Sequence, residues 1–301
     1  ENNVESTEII PEIMTTFILS NQIPSLRRCF LRFAGLLLFQ KKADVTAQCQ
    51  LEELELNDCS IDDLHILFQR IPKIKYLVLN IVNKISSTNL QQYFNDTMLH
   101  RCVSHLTYLK INIIKKNTIS FDNLESLLKQ LYRLETLILY IKDHFEFMNG
   151  YRWEVLISPS LPLLKRLKFD LIIFKLEFYL TCHHLDYIIS LFKTDFWVKN
   201  KWYIAIDYEI HSGLFIAHTL PFSGQSVKIS YRNTLSVSNC TNLNLNDRAY
   251  LNVEDLNLCV YKPFLTDAPF IRLLPNVQSL SIGVFSSSFN DNIEQGNKSF
   301  R

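Results

Sequence analysis

Leu51-Glu-Glu-Leu-Glu-Leu-Asn-Asp-Cys59 is the stretch on which the reading of the chain turns. Its apolar residues are Leu51, Leu54, Leu56 and Cys59, in the pattern L-x-x-L-x-L-x-x-C. Spaced this way, they turn one face of a short strand inward, and the residues between the leucines face out. One such strand cannot bury its own apolar face. It needs neighbours of the same kind on each side, so the motif predicts copies of itself.

The copies are present. Upstream, Leu26-x-x-Cys29-x-Leu31 is a degenerate version. Downstream come Ile74-x-x-Leu77-x-Leu79-x-x-Val82, Leu106-x-x-Leu109-x-Ile111-x-x-Ile114 and Leu134-x-x-Leu137-x-Leu139. Leu164-x-x-Leu167-x-Phe169-x-x-Ile172, Val253-x-x-Leu256-x-Leu258-x-x-Tyr261 and Val277-x-x-Leu280-x-Ile282-x-x-Phe285 complete the set. This is the strand signature of a leucine-rich repeat. Helical spacing fills the intervals: Ile9 to Ile18, then Ile61 to Ile71 behind a Ser60 cap and ended by Pro72. Leu90 to Phe94 follows Thr88, Leu124 to Leu131 follows Ser120, and Trp153 to Ile157 precedes Leu161-Pro162. The first six motifs start 25, 23, 32, 28 and 30 residues apart, a spacing long enough for a full helix in each unit. The expected fold is an α/β leucine-rich-repeat solenoid, with a curved parallel sheet on the concave side and helices on the convex side. An irregular α/β domain with coincidental spacing is the alternative.

The register weakens around 175–250. There His184 to Phe192 reads as a helix, and Trp202 to Tyr208 and Ser226 to Tyr231 read as strands. Residues 209–225 and 232–250 read as loops. The expected organisation is one repeat domain over 1–285: regular repeats at 9–174, irregular ones at 175–250 and returning ones at 251–285. A Ser-, Asn- and Gly-rich tail, 286–301, is expected to be disordered.

Bulk properties narrow the function. With 31 basic and 30 acidic residues the net charge is +1, which gives no nucleic-acid footprint. The 7 cysteines are odd in number and none forms a C-x-x-C, so they are expected as core thiols in a reducing, intracellular setting, cytoplasmic or nuclear. No apolar run approaches the roughly 20 residues that span a bilayer. Asn95, Asn239 and Asn297 head Asn-x-Ser/Thr triplets, which carry little weight without a signal peptide.

Two helix-then-strand segments, Leu67-Phe-Gln-Arg-Ile-Pro-Lys-Ile-Lys-Tyr-Leu77 with Val78-Leu79 and Leu128-Lys-Gln-Leu-Tyr-Arg-Leu-Glu-Thr-Leu-Ile-Leu139, resemble the repeats of F-box/leucine-rich-repeat proteins. The similarity is to a large invertebrate expansion of that family. Gly150-Tyr-Arg-Trp-Glu154 with Leu161-Pro-Leu-Leu-Lys-Arg-Leu167 adds to it, as does Phe192-Lys-Thr-Asp-Phe-Trp197 with Trp202-Tyr203. The resemblance covers about residues 9–285. It implies the substrate-binding repeat region of an F-box subunit of a cullin-type ubiquitin ligase. No F-box is readable in this chain, since residues 1–25 already read as the first repeat helix; a ligase adaptor is a partner only if an F-box lies upstream of residue 1. The alternative is a free-standing repeat scaffold with no ligase role.

No catalytic constellation, phosphate-binding glycine loop or cofactor motif is readable, so the expectation is a non-enzyme without cofactor or metal. Cys182-His183-His184 with Asp186 is the one local group with metal-ligand chemistry, and its plainer reading is the exposed start of a helix. Trp153, Trp197 and Trp202 are expected as core anchors pinning the irregular region. What the repeat offers is a surface for a protein target, with neither nucleic acid nor membrane as partner. Its outward residues are Glu53, Glu55 and Asn57, then Tyr76, Val78 and Asn80, then Tyr108, Lys110 and Asn112. Thr136, Ile138 and Tyr140, then Arg166, Lys168 and Asp170 follow, with Asp255, Asn257, Ser279 and Ser281 later. The face runs from an acidic end through an aromatic middle to a basic end. Either it is an open binding surface or long loops fold back over it.

Overall fold

The computed structural model describes residues 23–31, 49–59, 61–82, 103–114, 119–174, 180–210, 212–221, 226–230, 234–240, 250–261 and 276–285. The helices expected at 9–18, 90–94 and around 271–274, the Ser60 cap, the sequons at Asn95 and Asn297 and the tail at 286–301 lie outside these residues. The elements run β1 (Arg28–Leu31), β2 (Glu53–Cys59), α1 (Ile61–Arg70), β3 (Tyr76–Ile81), β4 (Tyr108–Ile113), α2 (Phe121–Leu128) and β5 (Thr136–Lys142). A 3-10 turn (Phe145–Met148), α3 (Gly150–Ser160), β6 (Arg166–Ile173), α4 (Cys182–Ser190), α5 (Asp195–Lys199) and β7 (Tyr203–Glu209) come next. β8 (Leu214–Leu220), β9 (Ser226–Ser230), β10 (Thr234–Ser238), β11 (Asp255–Tyr261) and β12 (Ser279–Phe285) complete the elements of the described residues. A large, mostly parallel sheet of nine strands has the order β1-β2-β3-β4-β5-β6-β8-β7-β10, and a second sheet has the order β12-β11-β9. The chain divides into two compact units, Glu1–Phe169 and Asp170–Arg301, so the boundary falls within β6.

In the first unit β1 to β5 pair in parallel and in step. The step stacks like on like: Cys29, Leu54, Leu77, Leu109 and Leu137 form one row, and Leu31, Leu56, Leu79, Ile111 and Leu139 the next. All are buried. The first apolar residue of each full motif, Leu51, Ile74, Leu106, Leu134 and Leu164, is buried just ahead of its strand.

One backbone device repeats. A turn closes Leu26 N–H onto Ile23 O, Ile74 onto Ile71, Leu106 onto Val103, Leu134 onto Leu131 and Leu164 onto Leu161. Two successive N–H groups then converge on one carbonyl of the strand before. Glu52 and Glu53 donate to Arg27 O, Lys75 and Tyr76 to Glu52 O, Thr107 and Tyr108 to Lys75 O, Glu135 and Thr136 to Thr107 O, and Lys165 and Arg166 to Glu135 O. Apart from the uncharged Thr107, the side chains on this line alternate in sign. Arg27 and Glu52 lie 3.9 Å apart, Lys75 and Glu52 2.7 Å, and Lys165 and Glu135 2.9 Å. These pairs are exposed, so they favour the register more than they add stability.

The motif's ninth position needs correction. Val82, Ile114 and Ile172 were expected inward, yet Ile81, Ile113 and Leu171 are the buried residues, and Ile114 is exposed. These strands keep a strict period of two to their ends. Only β2 shows the longer x-x step, because Leu56 pairs with Leu79 but Cys59 pairs with Ile81. The extra residue is a bulge at Asn57-Asp58.

Beneath the sheet α2 and α3 meet through aromatic rings. Trp153 sets its edge against Phe121 at 4.9 Å and against Phe169 of β6 at 6.2 Å, and its indole N–H donates to Phe147 O at 2.9 Å. Ser120 Oγ accepts from Asn123 N–H at 3.2 Å, giving α2 the cap expected of it. Arg152 of α3 lies over the Phe121 ring at 4.1 Å and bonds Asp122 and, at 3.1 Å, Glu125 of α2. Burial pushes the Glu125 carboxyl up, but hydrogen bonds from Lys129 and Arg152 outweigh it and hold the acid below its ordinary range. A lowered folded pKa contributes stability above the unfolded value that is lost as pH falls through the folded one. Urea midpoints should therefore drop below about pH 4, and less so in Glu125→Gln; equal acid slopes for the two proteins would refute this link.

The second unit departs from the parallel expectation. Residues 209–225 and 232–250, read as loops, contain β8 and β10, and β7 pairs antiparallel with both. β8 also pairs antiparallel with the end of β6, Asp170 opposite His218. The turn from Glu209 to Leu214 places Gly213 at φ 65°, a region glycine enters at little cost. Phe192, Phe196, Trp197 and Trp202 form the aromatic core here, with Trp197 5.5 Å from Phe196 and 4.8 Å from Phe192. All three tryptophans are buried, as expected of core anchors. A further cluster joins Ala205 and Leu220 of β7 and β8 to Tyr250 and Val253 ahead of β11. The three-stranded sheet is parallel, with Asp255 opposite Ser279 and Asn257 opposite Ser281. These four residues, expected on the outward face of the main sheet, therefore belong to a separate one.

Candidate protein-binding surface

The face of the first unit's sheet away from the leucine rows carries the residues between the leucines. Because the strands pair in step, they too form rows. One row is Arg28, Glu53, Tyr76, Tyr108 and Thr136, and the next is Phe30, Glu55, Val78, Lys110 and Ile138. A third holds Asn80, Asn112 and Tyr140. Arg166 donates to Glu135 O as Thr136 does to Thr107 O, so Arg166 follows Thr136 in the first row and Lys168 follows Ile138 in the second.

Tyr76 and Tyr108 stack face to face, ring centroids 4.0 Å apart and 14° from parallel. Burial pushes the Tyr108 hydroxyl above its ordinary range; the Tyr76 hydroxyl adds to this through a hydrogen bond, and the Arg166 guanidinium pulls against it. Tyr108 is therefore a neutral hydrogen-bonding phenol at physiological pH. Asn112 donates to Asn80 at 2.6 Å, a side-chain rung parallel to the backbone ones. Val78 and Thr136 are buried among their neighbours in the rows, whereas Tyr76, Tyr108, Lys110, Ile138, Tyr140 and Lys168 are half-buried and Arg166 is exposed.

Two features alter the expected face. Arg28 bonds Glu53 at 2.9 Å, so the acidic end is half neutralised, and Asn57 sits in the bulge rather than continuing a row. Arg28 and Phe30 also join the surface, Phe30 being 56% exposed. The alternation around Cys29 and Leu31 held the signal for both. Lys110, Arg166 and Lys168, by contrast, have no carboxylate partner among the described residues. Lys110 lies on β4 and the other two on β6, flanking Thr136 and Ile138 of β5. The group is a cationic rim around a hydroxyl and aliphatic floor. Asp170, two residues beyond Lys168, belongs to the second unit, where it pairs with His218.

The remaining candidates have structural uses. His184 closes a capping box at the start of α4: Thr181 N–H donates to its Nδ1 at 3.1 Å and its own N–H donates to Thr181 Oγ1 at 3.4 Å. No cluster of three or more metal-ligating side chains occurs among the described residues. The sequon at Asn239 is occupied otherwise. Its amide is 3% exposed and bonds three backbone groups, so the folded chain offers it to no sugar transferase. Cys29, Cys49 and Cys59 are buried thiols outside any disulfide, and burial raises the first two above the ordinary cysteine range, whereas Cys182, expected as a core thiol, is exposed. No helix among the described residues is long and apolar enough to cross a membrane.

Compared with known protein families, with curated proteins and with solved structures, the chain matches none.

Proposed function

We propose that the chain is a protein-recognition module. In this reading it is a leucine-rich-repeat solenoid whose parallel sheet lines the concave side and whose helices lie outside, and the tyrosine face receives a protein target. The observation that carries it is one sheet with its leucine side buried and its other side presenting Phe30, the Tyr76–Tyr108 stack, Ile138 and Tyr140 beside three cations that have no carboxylate partner among the described residues. Aromatic rings held rigid in rows give large contact area at low entropic cost. By resemblance, the target would be the substrate of an F-box subunit of a cullin-type ubiquitin ligase.

A photo-crosslinking phenylalanine analogue at exposed Phe30, which leaves the cations of the face in place, tests the surface in cells. Adducts should form, and should disappear when Tyr108→Ala and Tyr140→Ala are added. Losing the stack on Tyr76 should cost only about 0.5–1.5 kcal/mol, measured by urea unfolding. Adducts that persist in the folded double variant would rule the face out. For the ligase role, the whole reading frame of the gene should capture the ligase adaptor; failure there would leave recognition without ligation.

A further inference from the structure

We infer that the segment received by this face is acidic, with its carboxylates seated over Lys110, Arg166 and Lys168; the inference deepens the recognition reading and rests on it. Three cations on two strands flank Thr136 and Ile138, the uncharged outward residues of β5 between them, and none has a carboxylate partner among the described residues. Two of the three are half-buried, so their charge is less screened than that of a fully exposed lysine. Several other described cations of this unit have carboxylate partners: Arg28 with Glu53, Lys75 with Glu52, Arg152 with Asp122 and Glu125, and Lys165 with Glu135. Lys73 bonds the Gln50 amide and Arg133 lies over the Tyr132 ring, so what sets Lys110, Arg166 and Lys168 apart is that three such cations share one face of the sheet. At the far side of the same face, Glu55 has no cation partner among the described residues, and exposed Phe30 lies beside it in the row.

The occupant that fits is polar along its length. It is acidic over β4 to β6, apolar over Val78 and the tyrosines, and neutral or basic over Glu55. From β2 to β6 is four inter-strand steps, roughly 19 Å, which an extended peptide crosses in about six residues. A polynucleotide fits less well. Its phosphates would repeat along the whole path and meet Glu53 and Glu55, and three cations are few for phosphate-driven binding.

Selection of a random hexapeptide phage library on the whole 301-residue chain tests the inference. Selected peptides should be rich in Asp and Glu at one end. Against a chosen peptide, labelled with fluorescein and followed by anisotropy, Arg166→Glu with Lys168→Glu should weaken binding at least about tenfold. Selection repeated on that variant should turn toward Lys and Arg. Circular dichroism and urea unfolding check folding, and Arg166→Glu alone, at an exposed position, serves if the double variant fails. Peptides without acid preference that still depend on Tyr108 would overturn the acidic inference while leaving recognition standing. Acidic peptides indifferent to Arg166 and Lys168 would also overturn it. No selected peptide, or none sensitive to any residue of the face, would overturn both. Tighter binding of a fluorescein-labelled oligothymidylate, lost in the same variant, would assign the cations to nucleic acid instead.

Discussion

Replacing Trp153 with alanine should lower the folding free energy by about 3–5 kcal/mol, enough to unfold many domains of ordinary stability. The indole is 2% exposed and touches rings from three different elements: Phe121 of α2 at 4.9 Å, Phe147 of the 3-10 turn at 6.3 Å and Phe169 of β6 at 6.2 Å. Truncation removes those contacts and leaves a cavity that rings anchored on separate elements cannot readily fill. It also strips Phe147 O of its indole donor, and a buried acceptor left unpaired costs about 1–3 kcal/mol. Trp153→Phe separates the two effects, since it keeps much of the ring packing and loses only the hydrogen bond. Urea unfolding should order the three proteins wild type, Trp153→Phe, Trp153→Ala. If both variants lie within about 1 kcal/mol of wild type, Trp153 is not the joint between α2, α3 and β6.

The second large effect belongs to Asn239. Its side chain acts as a piece of backbone where β10 ends. Ile204 N–H donates to Oδ1 at 2.6 Å, while Nδ2 donates to Phe192 O at 2.6 Å and to Trp202 O at 3.5 Å. Its own N–H returns to Ile204 O at 3.1 Å. One residue thus ties the end of β10 to the start of β7 and to the chain leaving α4. Alanine there strips one backbone N–H and two carbonyls of this partner, and with the Trp202 bond long, a loss of about 2–5 kcal/mol is expected, chiefly from the Ile204 N–H and the Phe192 carbonyl. Asn239→Asp keeps the shape and the acceptor but cannot donate when ionised, and it buries a charge. It should therefore be the worse substitution at neutral pH and recover partly in acid, as its carboxyl gains a proton. Thermal unfolding from pH 4 to pH 8 would show this crossing; an aspartate variant as stable as wild type at pH 8 would refute the role.

Much of the first unit was readable because its leucines recur in strands that stack in step. Leu54, Leu77, Leu109 and Leu137 each announce a strand, and their partners two residues on are equally apolar. The residues between them were legible as a face for the same reason. Pairing along the rows was not. That Arg28 would neutralise Glu53, or that Tyr76 and Tyr108 would stack, depends on register between distant segments, which a single strand motif does not carry. The ninth-position error has a similar source. Val82 and Ile114 are as apolar as Ile81 and Ile113, so composition could not choose between a strand that bulges, as β2 does, and one that runs straight. In the second unit β8 was missed although Leu214 to Leu220 is rich in strand formers. A repeat frame expects a helix after each strand, so it reads a strand directly following β7 as part of a loop. Burial of His218 against Tyr250 supplies the missing reason: its ring nitrogen lies 3.1 Å from the phenol oxygen.

The carbonyls that each receive two N–H groups have a consequence for how such a chain can change length. Strands β2 to β6 each start by meeting the same kind of acceptor, provided in turn by Arg27, Glu52, Lys75, Thr107 and Glu135. Thr107 follows Lys75 by 32 residues. Excision of 75–106 from the gene would join Ile74 to Thr107, present Thr107 and Tyr108 to Glu52 O, and restore an unbroken Ile74-Thr-Tyr-Leu109-Lys-Ile111 motif. A duplication with the same endpoints would be equally silent to the hydrogen bonds. Unequal recombination can therefore add or remove whole rungs at these seams. Each such event would widen or narrow the tyrosine face by one strand, so under the proposed function the length of target spanned would evolve separately from the residues that contact it.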